Sequence, residues 1–243
     1  MNFSIIVEAR SGSKRLPKKI LLPIKKKNFL EYLLLRLKKV KEVNKFIVAT
    51  TTNKNDIEII KIAKKNNYKF YAGSERNVLK RVLDTSKKYS CKNIIRITSD
   101  CPLIDIRIIK KAIRIFKKSN CDYLSNTIKR SYPDGMDVEI FKYSSLIKAS
   151  RLAKLPIYKE WTTWSIINNP KIFKIKQFVA EKQFYNPKLG LTLDYIEDYI
   201  FLKKIILFFG ENKVTNCDEI LNLLKIKKHW LKINNKVKRN IVY

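Results

Sequence analysis

Ile5-Ile6-Val7-Glu8-Ala9-Arg10-Ser11-Gly12-Ser13-Lys14-Arg15-Leu16-Pro17-Lys18-Lys19-Ile20 is the stretch on which the reading of this chain turns. It begins inside an apolar run, Phe3 to Val7, that has no helical spacing and reads as a buried strand. A loop follows in which small residues (Ser11, Gly12, Ser13) alternate with the cations Arg10, Lys14, Arg15, Lys18 and Lys19. Small residues let backbone N–H groups turn inward and approach an anion closely. Arginine adds planar donors and lysine adds point charges. A strand feeding such a loop is how an α/β sheet builds a polyphosphate seat at its carboxyl edge. A solvated basic loop is the alternative; the order of strand, loop and a stiffening Pro17 favours the seat. No Gly-Lys-Ser/Thr follows, which excludes a Walker loop, and Gly12 alone cannot make a dinucleotide fingerprint.

Working outward, the same rhythm recurs. Asn28-Phe29-Leu30-Glu31 has the form of a capping box, and Phe29, Leu30, Leu33, Leu37 and Val40 make a helical apolar stripe. Phe46 to Thr50 predicts a strand, Asn55 to Glu58 a second capping pattern, and Lys69 to Tyr71 a short strand. A helix is expected over Val78 to Lys88 and a strand over Asn93 to Thr98. Pro102 stops that strand, and Asp105 caps a helix reaching Lys118. This alternation predicts a mostly parallel sheet covered on both faces. After Tyr123 the rhythm changes: a polar loop from Asn126 to Asp134, then alternation from Met136 to Phe141. Helices are expected over Tyr143 to Ala153 and around Trp161 to Ile167. Strands are expected over Phe173 to Phe178 and Leu189 to Leu193, and a helix over Ile196 to Phe209. With no repeat and no Pro/Gly/Ser linker, residues 1–210 read as one domain and 211–243 as a basic helical C-terminal extension.

Two aspartates, Asp100 and Asp194, each end an apolar strand. Strand ends of a parallel sheet converge on the ligand crevice, and a carboxylate pair there suits Mg²⁺ with phosphate oxygens. Each is also placed as a simple cap, Asp100 before Pro102 and Asp194 before the next helix. Tyr132-Pro133-Asp134-Gly135-Met136-Asp137-Val138-Glu139 sets three carboxylates around one tight turn, which fits either sugar hydroxyls or a solvated hairpin. Trp161 and Trp164 read as core.

Composition narrows the classes further. The 243 residues suffice for a large core. No stretch spans a membrane, since Tyr199 to Phe209 is too short and is broken by Lys203-Lys204. Glu8 and the lack of a basic leader argue against a signal peptide. Four scattered cysteines without a C-x-x-C pair predict reduced thiols in a cytoplasmic protein. With His229 the only histidine, neither a Ser/His/Asp triad nor a His-rich metal site is available. Lys+Arg of 53 against Asp+Glu of 21 gives +32, a balance that raises nucleic acid as a partner. The lysines, however, spread over nearly every predicted helix, with no arginine-rich tract or RNP-type strand. Specific nucleic-acid binding is therefore not expected.

The loop Ala9 to Lys19 resembles the signature loop of the cytidylyltransferases that make CMP-activated sugars, the spore-coat-polysaccharide type above all, with CMP-Kdo and CMP-sialic acid synthetases more distant. Val48 to Asn53, Gly73-Ser74-Glu75, Val78-Leu79 with Arg81, Arg96 to Asp105, Ser125-Asn126-Thr127, Tyr132 to Glu139 and Leu191 to Asp194 extend the likeness in order over residues 3 to 205. The resemblance implies a nucleotide-diphospho-sugar-transferase-like (Rossmann-like) three-layer α/β fold. It implies CTP and a sugar as substrates, a 2-keto acid sugar in the first instance, giving CMP-sugar and pyrophosphate for surface polysaccharide. By the same resemblance Ala9, Arg10, Ser11, Gly12, Ser13, Lys14, Arg15, Lys19, Thr50, Thr98 and Asp100 line the nucleotide, with Arg10, Arg15, Lys19 and Asp100 catalytic. Asp100 and Asp194 would hold Mg²⁺; Asn126, Tyr132, Asp134, Gly135, Asp137 and Glu139 would face the sugar. A homodimer is compatible with this reading. Departures are Glu8 for the usual glutamine, Lys18 for glycine, Arg76-Asn77 for an acidic pair, Trp161 for histidine, and Tyr195-Ile196 for Thr-Pro. Rivals are an enzyme using a sugar 1-phosphate, whose loop usually holds more glycines, and a glycosyltransferase, whose Asp-x-Asp is replaced here by Asp100-Cys101-Pro102. A non-catalytic nucleic-acid-binding protein is suggested by charge alone.

Overall fold

The computed structural model describes residues 1–237. Strands and helices alternate as β1 (Phe3–Glu8), α1 (Phe29–Leu37), β2 (Lys45–Thr51), α2 (Ile57–Lys65), β3 (Lys69–Gly73), α3 (Val78–Lys88), β4 (Asn93–Thr98) and α4 (Ile106–Lys118). There follow β5 (Tyr123–Ser125), β6 (Glu139–Lys142), α5 (Tyr143–Leu152), α6 (Pro156–Glu160), α7 (Trp164–Ile167), β7 (Ile175–Gln177), α8 (Ile196–Phe209) and α9 (Cys217–Ile226). Among the described residues the seven strands form one sheet in the order β3-β2-β1-β4-β6-β5-β7. Only β6 runs against the rest.

Alternation along each strand divides the core. Ile5 and Val7 face a layer with residues of α1, α2, α4, α8 and α9, whereas Ile6 faces Val78, Leu79, Leu146 and Ile166 on the other side. The result is a three-layer sandwich with a mostly parallel sheet, as the alternating pattern predicts. Two of the local capping signals hold. Asn28 and Glu31 form a reciprocal capping box, and the Asp105 carboxylate accepts from the Arg107 N–H at 2.8 Å. The end of the chain joins the same core, because Cys217, Ile220, Leu221, Leu223, Leu224 and Trp230 are buried in the first layer. Residues 238–243 of the basic extension lie outside the described residues.

The second half departs from the sequence expectation. Tyr123–Ser125 is a strand, too short for periodicity to reveal. Met136 to Val138 bend around a turn, so β6 starts only at Glu139. Of Phe173 to Phe178 only three residues pair. Leu189 to Leu193 is not a strand of the sheet; it is buried, with a bend at Thr192, and an isolated bridge joins Gly190 to Asp134. An apolar run reports burial, and here Leu189, Leu191 and Leu193 join the first core layer without pairing in the sheet.

Candidate active site

Register brings the loops together. Glu8 lies opposite Ala49 on β2 and Thr98 on β4, so the segments after all three strands leave the sheet at one edge. The loop after β1 is held in shape by its own backbone. Ala9 N donates to Ala49 O at 3.1 Å, and Ser11 O accepts from Ser13 N at 2.9 Å and Lys18 N at 3.0 Å. Ser11 N donates to Asp56 Oδ1 at 2.7 Å, and the Thr51 hydroxyl donates to the other oxygen of that buried carboxylate. The capping pattern predicted over Asn55 to Glu58 is thus corrected: Asp56 stands at the start of α2 and its side chain makes no cap bond. Its carboxylate turns back onto the loop instead, while Asn53 accepts from Asn55 N. Lys18, where the resembled family usually has glycine, has φ 53°, in the left-handed region.

Two cations of this loop reach the aspartates. Lys19 Nζ donates to Asp100 Oδ2 at 2.7 Å and to Asp194 Oδ1 at 2.9 Å. Arg15 donates to the same Asp194 oxygen at 2.6 Å, and its guanidinium lies 5.1 Å from the centre of the Tyr195 ring. The segments that carry the aspartates touch directly, because Leu193 N donates to Asp100 O at 2.8 Å. Asp194 does not cap α8; Asp198 does, accepting from the N–H of Asp194 and of Tyr195, both at 3.1 Å. Burial opposes ionisation of Asp100, yet the neighbouring Lys19 ammonium and Thr98 hydroxyl prevail and hold its carboxyl down at about 2. Burial likewise opposes the charge on Lys19, and the two aspartates raise it above the usual lysine value. Arg10, Gly12 and Lys14 are exposed on the same loop, and the Ser13 hydroxyl accepts from Leu16 N at 3.3 Å. Thr98 is half-buried beside Asp100, whereas Thr50 is fully buried inside β2.

The acidic turn abuts this edge. Gly135 has φ 104°, and a Cβ there would fall 2.7 Å from the Leu191 backbone, so the turn packs on the very segment that leads to Asp194. Arg130 forks onto Asp137 at 2.8 and 3.0 Å and reaches Asp134 at 3.1 Å. Burial pushes the Asp137 carboxyl up, Arg130 opposes it, and Glu139 and Asp100 push it further up. The remaining sugar-side expectations turn inward. The Asn126 amide donates to Met136 O at 2.7 Å and accepts from Val138 N at 2.8 Å. Tyr132 is buried against Phe178 and Phe184. Glu139 accepts from Tyr123 and Thr163, both at 2.6 Å, and pairs with Arg96. Arg96 also forks onto Glu8 at 2.9 and 2.8 Å, and Thr162 donates to Glu8 at 2.5 Å. This buried cluster ties β1, β4 and β6 to the residues just after Trp161. Arg130 and Asp198 were not marked by sequence, and the roles of Asp56 and Arg96 rest on partners far along the chain, Ser11 for Asp56 and Glu8 and Glu139 for Arg96.

The donor set fits a hard divalent cation. Two carboxylates converge on one positive group, and magnesium takes one or two carboxylates with the rest from water and phosphate. Among the described residues no cluster of three or more His, Cys, Asp or Glu forms a closed cage.

A parallel-edge anion loop beside two carboxylates defines an α/β enzyme that handles a nucleotide. The family profile described as cytidylyltransferase matches residues 4–225. The chain belongs to that family and is a nucleotidyltransferase. It is similar to a cytidylyltransferase from Leptospira borgpetersenii, with a TM-score of 0.91, 33% identity, and coverage of 98% of this chain and 100% of that one. It is also 29% identical to the spore coat polysaccharide biosynthesis protein SpsF of Bacillus subtilis, over 90% of this chain and 92% of that protein. The fold, though not the detail, matches a CMP:2-keto-3-deoxy-manno-octonic acid synthetase complexed with CTP. There the TM-score is 0.67 at 15% identity, covering 86% of this chain and 100% of the other. These likenesses place the sheet in the nucleotide-sugar-transferase-like class.

Proposed function

We propose that the chain transfers the cytidylyl group of CTP to a sugar hydroxyl, a 2-keto acid sugar being the acceptor, and releases pyrophosphate. The product would be a CMP-sugar for surface polysaccharide, made in the cytoplasm. The carrying observation is the meeting of Lys19 with Asp100 and Asp194, and of Arg15 with Asp194, at the edge where the loop after β1 opens. Arg10, Arg15 and Lys19 would supply positive charge where negative charge builds on the departing pyrophosphate. Gly12 and Lys14, both exposed, would leave room for the phosphate chain. Asp100 and Asp194 would hold Mg²⁺, which when bound neutralises phosphate charge and eases ionisation of an attacking hydroxyl. The acceptor oxygen forms a bond to the α-phosphorus as the bond to the β-phosphate oxygen breaks. Asp137 is near enough to Asp100 to feel its charge, and with Asp134 and Arg130 it would face the acceptor. The chain's one histidine, His229, is exposed in the C-terminal segment, so the hydroxyl proton passes to a carboxylate or to water. Four free, buried cysteines suit a reducing compartment, and no described helix is long and apolar enough to cross a membrane.

The test is pyrophosphate release from each of four nucleoside triphosphates against a panel of 2-keto acid sugars, neutral sugars and sugar 1-phosphates. Release with CTP and a keto acid sugar is expected. Equal release from all four nucleotides, or release only with a sugar 1-phosphate, would refute the proposal.

A further inference from the structure

Asn234 lies beyond the residues matched by the family profile, in the C-terminal segment, yet it is buried. Its Nδ2 donates to Gly190 O at 3.1 Å and to Asp198 Oδ1 at 2.9 Å. The other oxygen of Asp198 accepts from the backbone N–H of Asp194 and of Tyr195. Gly190 begins the segment that bridges to Asp134 and, through Leu193, donates to the Asp100 carbonyl. One side-chain amide thus fixes both ends of the short segment that carries Asp194. We infer that Asn234 is a positioning residue for Asp194, acting through Asp198 and Gly190, so that the chain's C-terminal segment completes the metal-binding edge.

The physical reason is the geometry of Asp198. The two backbone N–H groups at the start of α8 both bind one oxygen of the Asp198 carboxylate. A third donor on the opposite oxygen fixes the plane, and with it the direction in which the Asp194 side chain leaves the backbone. Groups that orient a metal ligand without touching the metal commonly change metal affinity by about 10- to 100-fold when removed. The inference rests on the reading of Asp100 and Asp194 as the metal pair, and the test separates the two.

Mn²⁺ is titrated into the full-length chain with CTP and no acceptor, and the free ion is read by electron paramagnetic resonance, so no turnover is involved. Asp194→Asn should weaken Mn²⁺ binding by about tenfold or more, and Asn234→Leu by about tenfold. Asp198→Asn alone sets two amide donors against each other and should weaken binding too. Adding Asn234→Asp to it restores one amide facing one carboxylate, though not the bond to Gly190 O, and should recover part of the loss. That rescue also serves if Asn234→Leu does not fold. Should Asp194→Asn weaken binding while Asn234→Leu only lowers the melting temperature, or the paired variant fail to recover, Asn234 merely fastens the chain end. Should Asp194→Asn itself leave Mn²⁺ binding unchanged, the metal reading falls and this inference with it.

Discussion

At Lys19 one ammonium meets two carboxylates delivered by different parts of the chain, at 2.7 and 2.9 Å. Groups held this way act as a unit, and losses of single members are then not multiplicative. Asp100→Asn and Asp194→Asn should each lower turnover by about 10² or more, and the double variant should lose little beyond either. Assay across a Mg²⁺ titration checks this; independent, multiplicative losses with unchanged Mg²⁺ dependence would make the aspartates two unrelated residues. The same triad predicts an acid limb in stability. The Asp100 carboxyl is held below its ordinary value, so its contribution is fully present above about pH 4 and is lost as pH falls through about 2. At most about 2 kcal/mol is at stake. Urea unfolding between pH 5 and 2 should show a flatter acid limb for Asp100→Asn than for the parent chain. Identical limbs would show that Lys19 does not stabilise the carboxylate.

Among the elements, the apolar segments leading to the two aspartates were legible, but that Leu189 to Leu193 is no strand, and what fixes either segment, were not. An apolar run followed by aspartate is a local pattern, so Asp100 and Asp194 could be marked from sequence. Asp56 on Ser11, Arg96 between Glu8 and Glu139, and Asn234 on Asp198 are bonds across the chain, which no window of neighbouring residues contains. Leu189 to Leu193 misled for the same reason: hydrophobicity announced burial but not the partner. Two turns around the site carry testable backbone demands. Lys18 sits at φ 53°, a conformation that costs a side-chain-bearing residue about 1–2 kcal/mol, while glycine's unfolded-state freedom gives back about 0.5–1 kcal/mol. Lys18→Gly should therefore stabilise the chain by about 0.5 kcal/mol, a rise of about 1–2 °C in melting temperature. Gly135→Ala should destabilise by about 2 kcal/mol or more, because φ is 104° and the new Cβ meets backbone rather than a movable side chain. Calorimetry on both decides, and a neutral Gly135→Ala would mean that the turn does not pack on the Asp194 segment.

Over the whole molecule the dominant quantity is charge, +32 from 53 basic and 21 acidic residues. Many of the acidic groups are already committed to ion pairs at the site and in the core, among them Glu8, Asp100, Asp137, Glu139 and Asp194. The uncompensated excess is therefore a general surface feature, with exposed lysines on α2, α3, α4 and α8 alike. A field of that kind attracts any polyanion at low salt, but charge by itself does not give nucleic-acid recognition, which takes a shaped groove of base-stacking aromatics. Salt separates the two kinds of binding. Duplex DNA laid on a diffuse basic surface engages many phosphates and loses affinity steeply, with a slope of about 0.9 per phosphate neutralised on a log–log plot. CTP offers three phosphates to one loop, so its slope should be shallow and its binding should persist at about 0.2 M salt, where duplex binding has faded. Fluorescence anisotropy with labelled duplexes of unrelated sequence, beside calorimetric CTP titration at matched salt, measures both slopes. Tight duplex binding that survives at about 0.2 M salt and discriminates among sequences would mean that the surface charge is organised for nucleic acid, and the enzyme reading would lose its advantage.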